Sequence, residues 1–186
     1  MMRLPLHGVP ILIVAVAWTF TAVAAPNPVL TMDGLGPLRF GMTVGQIERA
    51  IGPLDISYYE GSQECGEGGP KKPWIRGASL MIIKGRLARI DIFVGTDSTG
   101  VGTARSKITT KTEAGIGLGS TMAEVKRAYR GRLTVTPRPY EEETEHDLIV
   151  KDSRRGRKIV FETENGRIDT FRAGLNGPVD YIEGCS

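Results

Sequence analysis

The chain of 186 residues carries 24 Lys/Arg against 21 Asp/Glu, with 40% apolar residues, 24 glycines, 11 prolines and two cysteines. That balance belongs to a folded globular chain and excludes disordered tails, collagen-like repeats and multi-span membrane proteins. The net charge of +3 is small and its basic residues are scattered, so nothing marks nucleic acid as a partner.

The N-terminus predicts export. Arg3 is the only Asp, Glu, Lys or Arg before Asp33, an apolar run from Val9 to Trp18 follows it, and Ala22-Val23-Ala24 then offers small residues. This is the order of a secretory signal, with cleavage expected after Ala24 because Pro26 disfavours the next bond. An uncleaved anchor would need about 20 apolar residues, and Pro10 and the threonines interrupt the run. No cysteine lies near the cleavage bond, which argues against a lipid anchor. Residues 1–24 are therefore expected to leave a periplasmic or secreted protein with no membrane span. In an oxidising compartment Cys65 and Cys185 read as a disulfide rather than as free thiols, an intermolecular bridge or half a metal site. With one histidine left after cleavage they cannot close a zinc site without carboxylates.

After a short segment, 25–34, the sequence repeats itself. Gly41-Met42-Thr43-Val44-Gly45-Gln46-Ile47 aligns with Gly119-Ser120-Thr121-Met122-Ala123-Glu124-Val125 at an offset of 78 residues. Each copy has Thr three residues before Gln or Glu, a capping box. Val44, Ile47 and Ile51 match Met122, Val125 and Tyr129 as one apolar stripe per short helix. Gly52-Pro53 stops the first helix and Gly131 the second. A Gly/Pro loop is expected from Gly61 to Pro73. Leu80 to Ile83 and Arg86 to Val94 then form a hairpin around Lys84-Gly85. A Gly/Thr/Ser-rich join runs from Gly95 to Thr112, of which Lys107 to Thr112 is compatible with a strand. Beyond the second helix, Asp147 to Lys151, Arg157 to Glu164 and Arg167 to Arg172 are expected strands, the last two joined by the type I′ signal Asn165-Gly166. Gly85-Arg86-Leu87 and Gly166-Arg167-Ile168 correspond at an offset of 81. These signals predict an α+β protein of two tandem units, 35–100 and 101–186. Each unit would be a short helix packed on an antiparallel β-meander, together forming one curved sheet with the helices on one face.

The doubled Gly-x-Thr helix start, each followed by antiparallel strands, resembles the tandem fold of β-lactamase inhibitory proteins and the single-unit SmpA/OmlA (BamE-type) envelope proteins. The resemblance spans roughly residues 35–182. It implies a secreted or periplasmic protein whose curved sheet binds another protein. It carries no target enzyme over, and the absence of a lipobox cysteine departs from the SmpA/OmlA pattern.

Catalytic chemistry is thinly represented. His146 is the single histidine outside the signal, and there is no Gly-x-Ser-x-Gly elbow. Glu141 to Asp147 is acidic but lacks the ligand spacing and turn glycine of a calcium loop; it reads as a solvated loop facing the basic turn 154–158. Gly115-Ile116-Gly117-Leu118-Gly119 precedes a helix but matches neither a P-loop nor a dinucleotide fingerprint. No catalytic residue, metal or cofactor is expected. Binding is better represented. If Ala88, Ile90 and Ile92 face the helices, alternation turns Arg89, Asp91 and Phe93 to an open face, which Thr170 and Arg172 share. Tyr58, Tyr59, Trp74 and Tyr140 fall in loop-like or edge-like stretches. Tyr, Trp and Arg are common interface anchors, although each aromatic alone is as readily a packing residue. The expected function is that of an exported, non-catalytic protein-binding or inhibitor-like module for another envelope or secreted protein. A structural envelope component of the SmpA/OmlA kind and a small carboxylate-dependent hydrolase are the alternatives.

Overall fold

The computed structural model describes residues 27–59, 64–71, 74–95 and 104–185. The expected signal and its cleavage bond lie outside the described residues. Two short helices start where the capping boxes place them: α1 (Val44–Ile51) and α2 (Met122–Ala128). At the first, Thr43 Oγ1 accepts from the Gln46 amide at 3.3 Å and the Gln46 side chain accepts from the Thr43 amide at 2.8 Å. At the second, Thr121 Oγ1 accepts from the Glu124 amide at 3.2 Å and the Glu124 carboxylate accepts in return at 2.7 Å. Satisfying otherwise orphaned N-terminal amides in this way makes Thr43→Ala or Thr121→Ala cost about 0.5–2 kcal/mol each. Urea melts followed by circular dichroism would read this, and an unchanged midpoint for either variant would contradict the cap.

The strands among the described residues are β1 (Val29–Leu30), β2 (Leu54–Tyr58), β3 (Cys65–Pro70), β4 (Ala78–Ile83), β5 (Arg86–Phe93), β6 (Lys111–Thr112), β7 (Leu133–Pro137), β8 (His146–Asp152), β9 (Arg157–Glu164) and β10 (Arg167–Leu175). Eight of them form one antiparallel sheet in the order β2-β3-β4-β5-β10-β9-β8-β7, while β1 and β6 pair in parallel. Equivalent contacts recur in the two halves. The Gly41 amide donates to Leu87 O at 2.8 Å and the Gly119 amide to Ile168 O at 2.7 Å. The Arg86 and Arg167 guanidinium groups donate to the Gly41 and Gly119 carbonyls, each at 2.9 Å.

The expected α+β arrangement of two helix-on-meander units with helices covering one face is overturned. The structure is 43% strand and 14% helix. Its sheet runs unbroken through both halves, because β5 and β10 pair from Gly174↔Arg89 to Thr170↔Phe93. Neither helix is long enough to cover four strands. Each gives one fully buried side chain, Ile47 or Val125, to a core otherwise built mainly from strands and the N-terminal segment. Strands were also hidden by composition. The Gly/Pro stretch expected as a loop contains β3, paired on both sides. A Cβ on Gly66 would meet Ile56 and Tyr58 at 2.7 Å, so cross-strand packing favours glycine there against its low strand propensity.

A bulge corrects the expected alternation. The β4–β5 register shifts beyond Arg89, leaving Ala88 extra, and the β9–β10 register shifts likewise at Asp169. The core row is therefore Leu87, Ile90 and Ile92 with Ile168, Phe171 and Ala173; Ala88 is buried but outside it. Phe161 stacks on Phe171 and touches Tyr129, whose hydroxyl donates to Thr112 Oγ1 at 2.8 Å.

Candidate functional site

Alternation puts Arg89, Asp91 and Arg172 on the face opposite the core, as expected, but that face is not open. After β10 the chain turns through a 3-10 turn at Pro178–Asp180 that packs on β5, β9 and β10. Arg89, Asp91 and Arg172 are only 6%, 9% and 5% exposed beneath it. The last turn and the tail supply backbone acceptors to both guanidinium groups. Arg89 Nη1 donates to Tyr181 O at 2.7 Å and Pro178 O at 3.2 Å, and Arg172 Nε donates to Val179 O at 2.7 Å. A Cβ on Gly174, opposite Arg89 in the ladder, would lie 2.7 Å from Ala88 O, so β5 and β10 approach too closely there for any side chain.

Charges of alternating sign cross this capped face. Arg89 Nε donates to Asp91 Oδ2 at 2.8 Å and Arg89 Nη2 reaches Glu67 at 3.4 Å. Asp91 stands directly opposite Arg172, which pairs with Glu162. Glu162 also accepts from Arg138 at 3.2 Å, and Arg138 Nε lies 3.8 Å from Asp147 Oδ1. Lys158 closes over Asp180 of the turn at 2.8 Å. Burial pushes the Asp91 carboxyl up, against the lowering effect of Arg89 and Arg172. Glu67 is raised by burial and by Asp91, again against Arg89. Asp147 is raised by burial and by Glu162, and its Oδ1 is buried without a hydrogen-bond partner.

A raised folded-state pKa means that the folded protein holds the proton more tightly than the unfolded chain, so each such group favours folding more as pH falls. Asp147→Asn is accordingly expected to melt above wild type at pH 7. The difference should narrow as pH falls through the raised value toward the ordinary Asp value of 3.8. A variant melting below wild type at pH 7 would contradict the cause assigned to Asp147.

At one end of the capped face the tail builds an apolar groove of about 510 Å³, lined by Tyr140, Tyr181, Ile182, Glu183, Gly184 and the Cys65–Cys185 disulfide. Tyr59 adjoins it, donating its amide to Cys65 O at 3.3 Å. Gly184, at φ 69°, carries the chain over Glu67, where a Cβ would meet the carboxylate at 2.6 Å. Tyr140 is the outlier of the site: it holds a left-handed backbone, φ 65°, and its side chain is 95% exposed.

The remaining expected residues scatter. Tyr58 follows Leu54 and Ile56 along the core face, so it lies on the side away from Tyr59. Trp74 packs against the core and lines a separate cavity of about 820 Å³ with Asp33, Arg39 and Glu113. Phe93 is half-buried at the end of β5, opposite Thr170. The acidic loop and the basic turn do not face each other, because seven-residue β8 separates them by about 20 Å. Asp33 is the basic turn's partner, pairing with Arg155 at 3.0 Å and with Arg157. Sequence reasoning missed Tyr181 and Ile182, whose exposure depends on the tail folding back, and Glu67 and Glu162, whose roles depend on strand order. Among the described residues no group of three or more His, Cys, Asp or Glu side chains is arranged to hold a metal ion. No family model matches this chain, and no curated protein or solved structure matches it either.

Proposed function

We propose that the protein is an exported, non-catalytic binding module that engages another envelope or secreted protein through the groove beside Tyr140. The disulfide, and the absence among the described residues of a helix long and apolar enough to cross a membrane, accord with an extracellular or periplasmic location. Asp91, Glu162 and Glu67, carboxylates that a hydrolase could use, are engaged with guanidinium groups beneath the tail. The observation that carries the reading is Tyr140. An αL tyrosine costs about 1–2 kcal/mol relative to a relaxed backbone, and this one gains no burial in return. Strain of that kind concentrates where a surface is kept for a partner, and three further large apolar residues, Tyr59, Tyr181 and Ile182, are exposed beside it. The resemblance of the paired Gly-x-Thr starts to β-lactamase inhibitory proteins accords with a binding role.

The test is capture from envelope and secreted extracts with wild type and Tyr140→Ala/Ile182→Ala as parallel baits. Removal of two exposed anchors is expected to weaken capture about tenfold or more while leaving the melting curve unchanged. Equal capture by the folded variant would sink the groove as the site.

A further inference from the structure

The groove is apolar at its centre and acidic all round. Its surroundings come from three stretches: 58–59 with 64–67, 139–145, and 176–185. They contain Glu64, Glu67, Glu141, Glu142, Glu143, Glu145, Asp180 and Glu183, and no Lys or Arg at all. This segregation occurs in a chain of net charge +3. The nearest cations are drawn under the rim rather than into it. Arg89 is buried between Asp91 and the tail carbonyls, Arg138 is held by Glu162, Asp147 and Glu141, and Lys158 lies on Asp180. Glu141, Glu142 and Glu143, by contrast, directly follow Tyr140 and are exposed.

Resting on the binding role proposed above, we infer that the groove takes a basic segment of the partner protein, a stretch in which Lys or Arg flanks an apolar side chain. The apolar residue enters between Tyr140, Tyr181 and Ile182, and the cations meet the glutamates and the tyrosine ring faces. Each of these contacts has a physical warrant. A guanidinium over a tyrosine face is attracted by the ring quadrupole, and complementary rim charge raises the association rate and rejects partners of the wrong sign. The same charge repels nucleic acid and anionic lipid surfaces, so a basic polypeptide is the occupant that fits. The disulfide, anchored to β3, holds the tail side of the groove in place before binding, which lowers the ordering cost of docking.

The experiment is panning of a random peptide phage library on the intact, oxidised protein, with enriched sequences then made as labelled peptides. The expected result is enrichment of sequences with Lys or Arg on both sides of an apolar residue. Their affinity should fall about tenfold or more in Tyr140→Ala/Ile182→Ala and decline steeply with ionic strength. A second variant, Glu141→Lys/Glu142→Lys/Glu143→Lys, lies wholly in an exposed loop and should abolish the basic preference without changing the melting curve. Groove-dependent peptides that are neutral or acidic would overturn the basic-partner inference while leaving the binding role intact. Peptides that bind both variants as tightly as wild type, or no enrichment at all, would overturn both. Self-association of the protein alone, lost in Tyr140→Ala/Ile182→Ala, would seat a second copy in the groove and also overturn the inference.

Discussion

Cys185→Ser is expected to lower stability by about 4–5 kcal/mol in the chain-entropy treatment of cross-links. The bond joins residues 120 apart in sequence, with Cα atoms 5.5 Å apart, and so restricts most of the unfolded chain. It ties the first residue of β3 to the end of the tail, and nothing else covalent holds that tail to the sheet. Some of the loss is offset because Val179 remains fully buried and the Arg89 and Arg172 bonds to tail carbonyls do not depend on sulfur. Denaturant unfolding of wild type, Cys65→Ser and Cys185→Ser would give the value, and both single variants should agree because they remove one bond. A loss below about 1 kcal/mol in both would mean that the tail is held by packing alone.

Arg172→Met is the second large effect, expected at about 3–5 kcal/mol, since breaking a buried pair leaves an uncompensated charge behind. Arg172 is 5% exposed, pairs with Glu162, faces Asp91 and donates to Val179 O. Its loss therefore strands two carboxylates and unpins the turn that covers them. Arg172→Met combined with Glu162→Gln should cost less than the sum of the two single changes, because the second removes one of the stranded charges. Equilibrium unfolding of the three variants closes the cycle. Strict additivity would contradict a shared network across β9 and β10.

Local signals were legible in the sequence, and tertiary ones were not. Thr43 and Thr121 announced both helix starts because a capping box is closed within four residues. Lys84-Gly85 and Asn165-Gly166 announced their hairpins because two consecutive residues there must hold positive φ. Arg89, Asp91 and Arg172 were assigned to the correct face by alternation, yet their burial depends on a tail that returns from the far end of the chain. Only the two cysteines hinted at that return. The offset of 81 also maps Asp91 onto Arg172, opposite charges at equivalent places on the two joining strands, and the ladder sets them side by side. The edge strands β2, β3 and β7 escaped notice because Gly, Pro, Asp and Thr dominate them and their pairing partners supply the strand order. Tyr140 and Tyr59 were found from composition alone, whereas Tyr58 and Trp74 belong to the core face.

Site-specific photocrosslinking in the producing cell tests the binding groove most directly, with a photoreactive phenylalanine analogue placed in turn at Tyr140, Ile182 and Tyr58. Positions 140 and 182 line the groove, while 58 is equally surface-accessible in kind but lies on the opposite face. Crosslinking of one and the same protein from 140 and 182, with none from 58, is the expected result. A partner captured from 58 and not from 140 or 182 would contradict it.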